Sequence, residues 1–493
     1  MKKKILSAAA ALAVIIVAIC LVRAALFKSK QIAVEPAVVS GINQRAIAEN
    51  LSKAIQLRTV SHQDPAKFDG TTFLTFHRLL ERTFPRAHKS LTRETISKYS
   101  LLYTWKGTDP KRKPILLLGH IDVVPVESGT EKDWTHPPFS GAIADGYIWG
   151  RGALDIKLNV MGTLEAVEYL LASGFKPQQT IFLAFGHDEE VHGLNGAKKI
   201  SALLKERGVS LDYTLDEGGF VVEGVIAGLA APAALIGIAE KGYLSLEFSV
   251  EGEGGHSSMP PRQTTAGILC ATIAKLEKNQ FPTRIEGAAL QMFRYLGPEM
   301  SFANRLILGN MWLLGGVLKS QLLKSPTMAA AIRTTTAPTM LQGSVKENIL
   351  PIKATAVVNY RLLPGDTIES SIKRVENIID DNRVKIRALD EGSDPSPVSD
   401  TGSASFAMLQ KTIHQMFPGA IVSPYLVLGA TDSRYYTGLS GNVYRFTPLS
   451  IKNEDLKRIH GTNERISVAN YEQAVRFFIQ LIKNSGGRMI PSS

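Results

Sequence analysis

Between residues 113 and 219 the chain alternates short apolar runs with amphipathic stretches. KPILLLGH (113–120), QTIFLAFG (179–186) and LDYTLDEGG (211–219) read as buried strands, while residues 156–172 and GLNGAKKISALLKE space their apolar positions as helices do. Helical spacing also runs through 41–57 and 71–84. This β-α-β-α rhythm predicts an α/β fold with a mostly parallel sheet and helices on both faces. All three strands end in imidazole or carboxylate groups: His120-Ile121-Asp122, His187-Asp188-Glu189-Glu190 and Asp216-Glu217. Open α/β sheets bind ligands at the carboxyl ends of their strands, so these groups are expected to converge.

Near residue 240 the pattern changes. KGYLSLEFSVEGEG alternates apolar and polar residues, as a half-exposed antiparallel strand does. A helix over 263–278 follows, and KATAVVNYRLLPG (353–365) reads as a closing strand. The expected organisation is an N-terminal segment (1–30), a catalytic domain split between 41–239 and 363–493, and an inserted α+β lid over 240–362. Residues 300–325 are unusually apolar for a lid. They read as lid core, a dimer interface, an acyl tunnel or a surface that leans on a membrane.

The formal charge of +11 would suit a nucleic-acid binder, but its distribution does not. Lys2, Lys3, Lys4, Arg23, Lys28 and Lys30 face no acid within residues 1–30, leaving 50 basic against 45 acidic residues, or +5, for the rest. Basic runs interleaved with aromatics are missing, so nucleic acid is not the expected partner. MKKK precedes an apolar stretch from Ile5 to Phe27 interrupted by Ser7 and Arg23. That reads as a signal-anchor with the lysines inside and the body outside the cytoplasm, periplasmic or luminal; a cleaved signal, giving a secreted protein, is the other reading. Two cysteines, Cys20 and Cys270, support neither a disulfide framework nor a multi-cysteine zinc site, so any metal falls to histidine and carboxylate ligands.

Such ligands are offered by GHIDVVP with His120 and Asp122, GRGALDIK with Asp155, GHDEEVHGLNG with Glu189 and Glu190, LDEGG with Asp216, and HGTNERI with His460. A carboxylate beside a metal-bound imidazole fixes its tautomer, which suits Asp122 next to His120. Adjacent acids on an extended chain point to opposite sides, so Glu189 and Glu190 can divide labour. Individually each motif has a plainer reading: a His–Asp pair, a helix cap at Asp155 or a solvated acidic loop. No G-x-S-x-G elbow is present, and GEGGH is too poor a glycine pattern for dinucleotide binding.

Taken in order, GHIDVVP, WGRGALDIK, GHDEEVHGLNGA, LDEGG, GHSSMPP, KENILP, YRLLPGD, GATDSRYY and HGTNERI resemble the dizinc metallopeptidase family of carboxypeptidase S, aminoacylase-1 and succinyl-diaminopimelate desuccinylase, over about residues 41–485. The stretch around FRYLGPEMSFANRLILGNMWLL looks most like the branch of carboxypeptidase S and N-fatty-acyl-amino-acid synthase/hydrolase. Lys157 departs from the family pattern after Asp155 without altering a ligand. The resemblance implies a dizinc exopeptidase-like fold with two Zn²⁺ per chain, one on His120 and Asp216, the other on Glu190 and His460, bridged by Asp155 and a water or hydroxide. It implies Asp122 as the support of His120 and Glu189 as general base. Three carboxylates and a hydroxide would then neutralise the two cations.

The same resemblance places His256, Asn348 and Arg361 on the lid as substrate contacts, and Thr431 and Arg434 on the catalytic domain; for Arg434 a structural salt bridge stays open. His256 would serve the reacting centre, often from a second subunit, so a homodimer joined through the lid is one implied arrangement. The expected reaction is hydrolysis of an amide that releases an amino acid, with an N-acyl amino acid or a peptide as substrate and an apolar acyl preference. The alternative is a non-catalytic metal-binding assembly protein of the same fold.

Overall fold

The computed structural model describes residues 1–486. Helix α1 (Lys2–Ala25) leads into an extended segment and then α2 (Gln44–Gln56), whose N-terminus is capped by Asn43 accepting from the Ala46 amide. Ile47, Leu51, Ala54 and Ile55 recur at helical spacing and are buried. There follow β1 (Thr92–Ile96), β2 (Ser100–Trp105), β3 (Ile115–His120), α3 (Lys157–Ala172), β4 (Ile181–Gly186), β5 (Thr214–Asp216), β6 (Val221–Val222) and β7 (Ala233–Glu240). Strands β3 and β4 are buried at every position, which is why ILLLG and IFLAFG run apolar without alternation.

The chain then leaves this unit. Strand β8 (Gly242–Glu251) and α4 (Thr265–Lys278) open an insertion that continues through α5 (Gly287–Leu296), α6 (Phe302–Gly309) and α7 (Met311–Leu322). It goes on to β9 (Thr335–Gln342), β10 (Lys353–Leu362), α8 (Ile368–Ile379) and β11 (Val384–Ala388). An antiparallel sheet of order β9-β10-β8-β11 results, and α4 and α8 bury Leu269, Ile273, Val375 and Ile379 against Leu246, Phe248, Val358 and Tyr360.

Two expectations are corrected here. Strand β10 lies inside the sheet rather than closing it, and the sheet is completed by β11, beyond the expected boundary at 362. An alternating strand with one buried face looks the same at the centre as at an edge, and VKIRA is too short and too exposed to announce itself. The apolar stretch 300–325 is not lid core: Leu308, Leu318 and Leu322 join Met292 and Phe293 in the cluster centred on the first unit.

The chain returns with β12 (Ile421–Val427), β13 (Val443–Arg445), β14 (Ser450–Ile451) and α9 (Val468–Gly486), which packs on α3. The large sheet has ten strands in the order β1-β2-β4-β3-β5-β13-β7-β6-β14, with β12 beside β7. Pairing is parallel from β4 through β3 and β5 to β13, and antiparallel where β1 and β2 extend one edge and β6 and β13 meet β7. The expected α/β architecture with helices on both faces is therefore found, and its parallel centre aligns the carboxyl ends of β3, β4 and β5.

Candidate metal centre and cleft

His120 closes β3, buried, with its ring held from behind. Nδ1 lies 3.0 Å from the Asp122 carbonyl and 3.3 Å from Asp122 Oδ1, so Nε2 faces forward. Asp122 itself accepts from Ser61 Oγ at 2.6 Å and from the amides of Glu189 and Glu190 at 3.2 Å each. Burial pushes its carboxyl up, but the imidazole, the Ser61 hydroxyl and the Glu190 amide outweigh that and leave it below the usual range.

In front of His120, Nε2 is 3.2 Å from Asp155 Oδ1, 3.2 Å from Glu217 Oε1 and 3.9 Å from Glu189 Oε2. His460 Nε2 stands 3.0 Å from Asp155 Oδ2 and 3.3 Å from Glu190 Oε2. The two oxygens of Asp155 thus serve two imidazoles, one each. His120, Asp155 and Glu190 form one set of donors able to hold a metal ion, and His120, Glu189 and Glu217 another.

This donor set fits zinc. Two ligands each about 2.0–2.1 Å from a tetrahedral ion lie roughly 3.3 Å apart, close to the spacings found. Glu190 Oε1 is buried without a hydrogen-bond partner among the described residues, an acceptor left for something other than protein. Burial and the repulsion of Asp155 push Glu217 up to about 8, and burial pushes Glu189 well above the carboxylate range, reinforced by Asp432, Glu217 and Glu190 and opposed by His120. Divalent cations relieve such crowding.

One expected ligand is corrected. Asp216 ends β5 with its carboxylate turned under the sheet edge, where Oδ1 accepts from the Glu217 amide at 2.9 Å and Oδ2 from the Ser433 amide at 2.8 Å. Consecutive side chains leave an extended backbone on opposite sides, so the residue that meets His120 is the next one, Glu217.

The GRGALD turn and the HGTNE loop are clasped by a pair that sequence reading passed over. Glu464 is fully buried and accepts from the amides of Gly152 (3.0 Å), Leu154 (2.8 Å) and Asp155 (3.2 Å) and from Arg151 Nη1 (2.6 Å). Arg151 Nη2 reaches on to the His460 carbonyl at 3.1 Å. Both residues lie inside quoted motifs, and a charged residue at each of two converging glycine-containing loops was the available signal. Lys157 donates from Nζ to the carbonyls of Ala54 (3.0 Å) and Leu57 (2.6 Å), fastening the start of α3 to the end of α2.

The cluster opens on a cleft of about 1060 Å³ that Glu189, Glu190, Glu217 and His460 line from the sheet side and Tyr243 and Arg361 from the lid. The Arg361 guanidinium lies 4.8 Å from the Tyr243 ring centre. Arg434 also lines the cleft, 5.0 Å from the Tyr435 ring, donating to the His192 carbonyl at 2.9 Å. It forms no salt bridge among the described residues. Thr431 reaches the cleft wall, but its hydroxyl and amide both donate to Glu240 Oε2, at 2.9 and 3.0 Å, which also accepts from Arg445. This buried tie fixes Thr431 in the cleft wall. His256 and Asn348 are not brought to the cleft. His256 lies on the two-stranded ladder of Gly255–His256 and Ile349–Leu350 and Asn348 just before its second strand, with His256 exposed and its Nδ1 accepting from the Ser258 amide at 3.1 Å.

Residues 116–484 match peptidase family M20/M25/M40. A probable carboxypeptidase S-like protein 2 of Dictyostelium discoideum is 44% identical over 89% of this chain and 85% of its own. Human N-fatty-acyl-amino acid synthase/hydrolase PM20D1 is 40% identical over 93% and 91%, and carboxypeptidase S of Saccharomyces cerevisiae 33% over 88% and 83%. Among solved structures, the M20 family metallo-carboxypeptidase Sso-CP2 of Sulfolobus solfataricus superimposes with a TM-score of 0.66 at 18% identity, covering 90% of this chain and all of that one. A match this long, over a fold whose converging strand ends meet the two-sided Asp155 of the GRGALD turn, leaves no room for the assembly-protein alternative: the chain belongs to peptidase family M20/M25/M40 and is a metal-dependent hydrolase of amide bonds.

Proposed function

We propose that the enzyme frees an amino acid from an N-acyl amino acid or from the carboxyl end of a peptide, with preference for an apolar acyl side. The observation that carries this reading is the facing of Arg361 and Arg434 across the same cleft whose floor is the Asp155-centred cluster. Two permanently charged planar donors opposite a hydrolytic centre suit a substrate whose leaving amine carries a free carboxylate. Human PM20D1 and yeast carboxypeptidase S bear names with substrates of these two kinds.

Two zinc ions would be held by His120 with Glu217 and by Glu190 with His460, Asp155 serving both. When bound they supply Lewis-acid polarisation of the acyl carbonyl. Glu189, on the cleft side, takes a proton from the attacking water as its oxygen joins the acyl carbon, and hands that proton to the amine nitrogen as the C–N bond breaks. Asp122 keeps His120 in one tautomer throughout. Helix α1 is long and apolar enough to cross a bilayer and almost wholly unburied, which supports a membrane anchor with the body outside the cytoplasm, or a secreted body if α1 is removed. A homodimer through the lid would account for His256 and Asn348 lying away from this chain's own cleft.

A substrate panel tests the reading. Zinc-loaded enzyme should cleave N-oleoyl amino acids or blocked dipeptides with apolar penultimate residues, and lose activity on the corresponding amino acid amides, which lack the carboxylate. Equal turnover of acids and amides removes Arg361 and Arg434 from substrate binding.

A further inference from the structure

Helix α1 does not stand apart from the body. Its residues Ile16, Cys20 and Ala24, four apart on one face, are partly or fully covered, and α6 lies against this stripe. Polar atoms lock the contact: Asn310 Nδ2 donates to the Cys20 carbonyl at 2.9 Å and to the Leu306 carbonyl at 2.8 Å, and Arg23 Nε donates to the Gly309 carbonyl at 3.2 Å. Asn310 is completely buried in this joint.

The joint sits within about 8 Å of the carboxyl end of α1, at a rise of 1.5 Å per residue. There α7 sets off with Trp312 57% exposed and Leu313 and Val317 also facing outward, and Phe302 at the head of α6 is exposed as well. The neighbouring faces of α1 expose Val17, Ile19, Leu21 and Val22. Both apolar surfaces therefore flank the same joint. Between Glu299 and Glu347 the chain has no acid, while Arg305, Lys319 and Lys324 lie on or just after the hairpin, and residues 1–34 are equally free of acid.

We propose that the α6–α7 hairpin is a second membrane contact, seated in the leaflet beside the outer end of α1 with Trp312 at headgroup depth and its basic residues on anionic lipid. It rests on the anchor reading of α1. The apolar side of such an element sinks roughly 5–10 Å below the headgroups, and tryptophan favours that level. A second copy of the chain on the same face would leave the adjoining side of α1 in water, whereas a bilayer covers both. The body is then held at two points close to the membrane, and the extended segment after α1, tied at Lys30 and Gln31 to Gln410 and Val422, runs along the body.

Trp312 provides the probe, because Trp105, Trp134 and Trp149 are all buried. The full chain is reconstituted into phosphatidylcholine–phosphatidylglycerol vesicles, with and without phosphatidylcholine brominated near the headgroup end of its acyl chains, and Trp312 emission is taken as the difference from Trp312→Phe. Protein should float with the vesicles and lose more than about half of that emission to the bromines, as expected for tryptophan at the interface. Floating protein whose Trp312 ignores bromine but yields to aqueous iodide overturns the hairpin contact and leaves the anchor standing. Trp312 shielded from both quenchers overturns it in favour of a second copy. Protein that does not float overturns the anchor reading and the hairpin with it. In Leu313→Glu/Val317→Glu protein, bromine quenching should fall at least twofold while turnover of a water-soluble substrate is kept; undiminished quenching counts against the contact.

Discussion

The two imidazoles of the metal centre occupy unlike settings. The His120 side chain is 2% exposed, emerges from a buried strand and is backed by Asp122 and Ser61. The His460 side chain is 50% exposed and sits in a loop at φ +59°, a conformation that a non-glycine residue keeps only when held. Its hold is indirect, through Arg151 and Glu464. One half of the centre is thus built into the sheet and the other is clamped onto it, with Asp155 shared between them. The difference teaches that the second ion depends on a clasp that grips the backbone of its ligands, at the Asp155 amide and the His460 carbonyl, and not their side chains.

Four experiments bear on this contrast. Glu189→Gln should leave both halves intact, with zinc near two per chain, yet slow hydrolysis by roughly 10²–10⁴-fold, the usual worth of a positioned acid–base group; retained turnover would show that Glu189 is not the proton carrier. Glu217→Ala should empty the strand-built half, weakening one ion by more than roughly 100-fold, beyond the range for losing a supporting residue. Asp216→Asn should keep two ions, and the opposite ranking in a metal assay would restore Asp216 as the ligand. Glu464→Ala leaves Arg151 buried and unpaired and three amides unsatisfied, so thermal unfolding should show a loss of about 3–5 kcal/mol and the His460 ion should go first.

The smallest effect is on pH. Hydrogen bonds to Asp155 and Glu190 push His460 up to about 10, and the carboxylates around His120 lift it above its ordinary value despite burial. In the zinc-free protein the protonated His460 stabilises the fold fully below about pH 6.5, and that contribution is lost as pH rises through about 10. Zinc must displace this proton, so its affinity should climb with pH across the same window, by at most ~10-fold per unit at one site. Chelator competition should strip the exposed half before the buried one at each pH.

Much of this was legible in the sequence because its signals are local. Apolar runs ending in His120, in Glu189-Glu190 and in Asp216-Glu217 announce strand ends without any knowledge of neighbours, and the parallel centre of the sheet follows from their spacing. Choosing between Asp216 and Glu217 was not legible. Alternation says that the two point apart, but which side faces the centre depends on the Ser433 amide, 217 residues away. The tie of Thr431 to Glu240 was hidden for a related reason, since it crosses 191 residues. Residues 300–325 are apolar nearly all round, so periodicity could not say what they pack against.

Arg151 and Glu464 join points 313 residues apart, and the loop they secure carries His460. A chain emerging from the ribosome can form the β4–β3–β5 centre of the sheet early, but it cannot complete the second cation position until nearly everything has been made and folded back. The enzyme is therefore born inert.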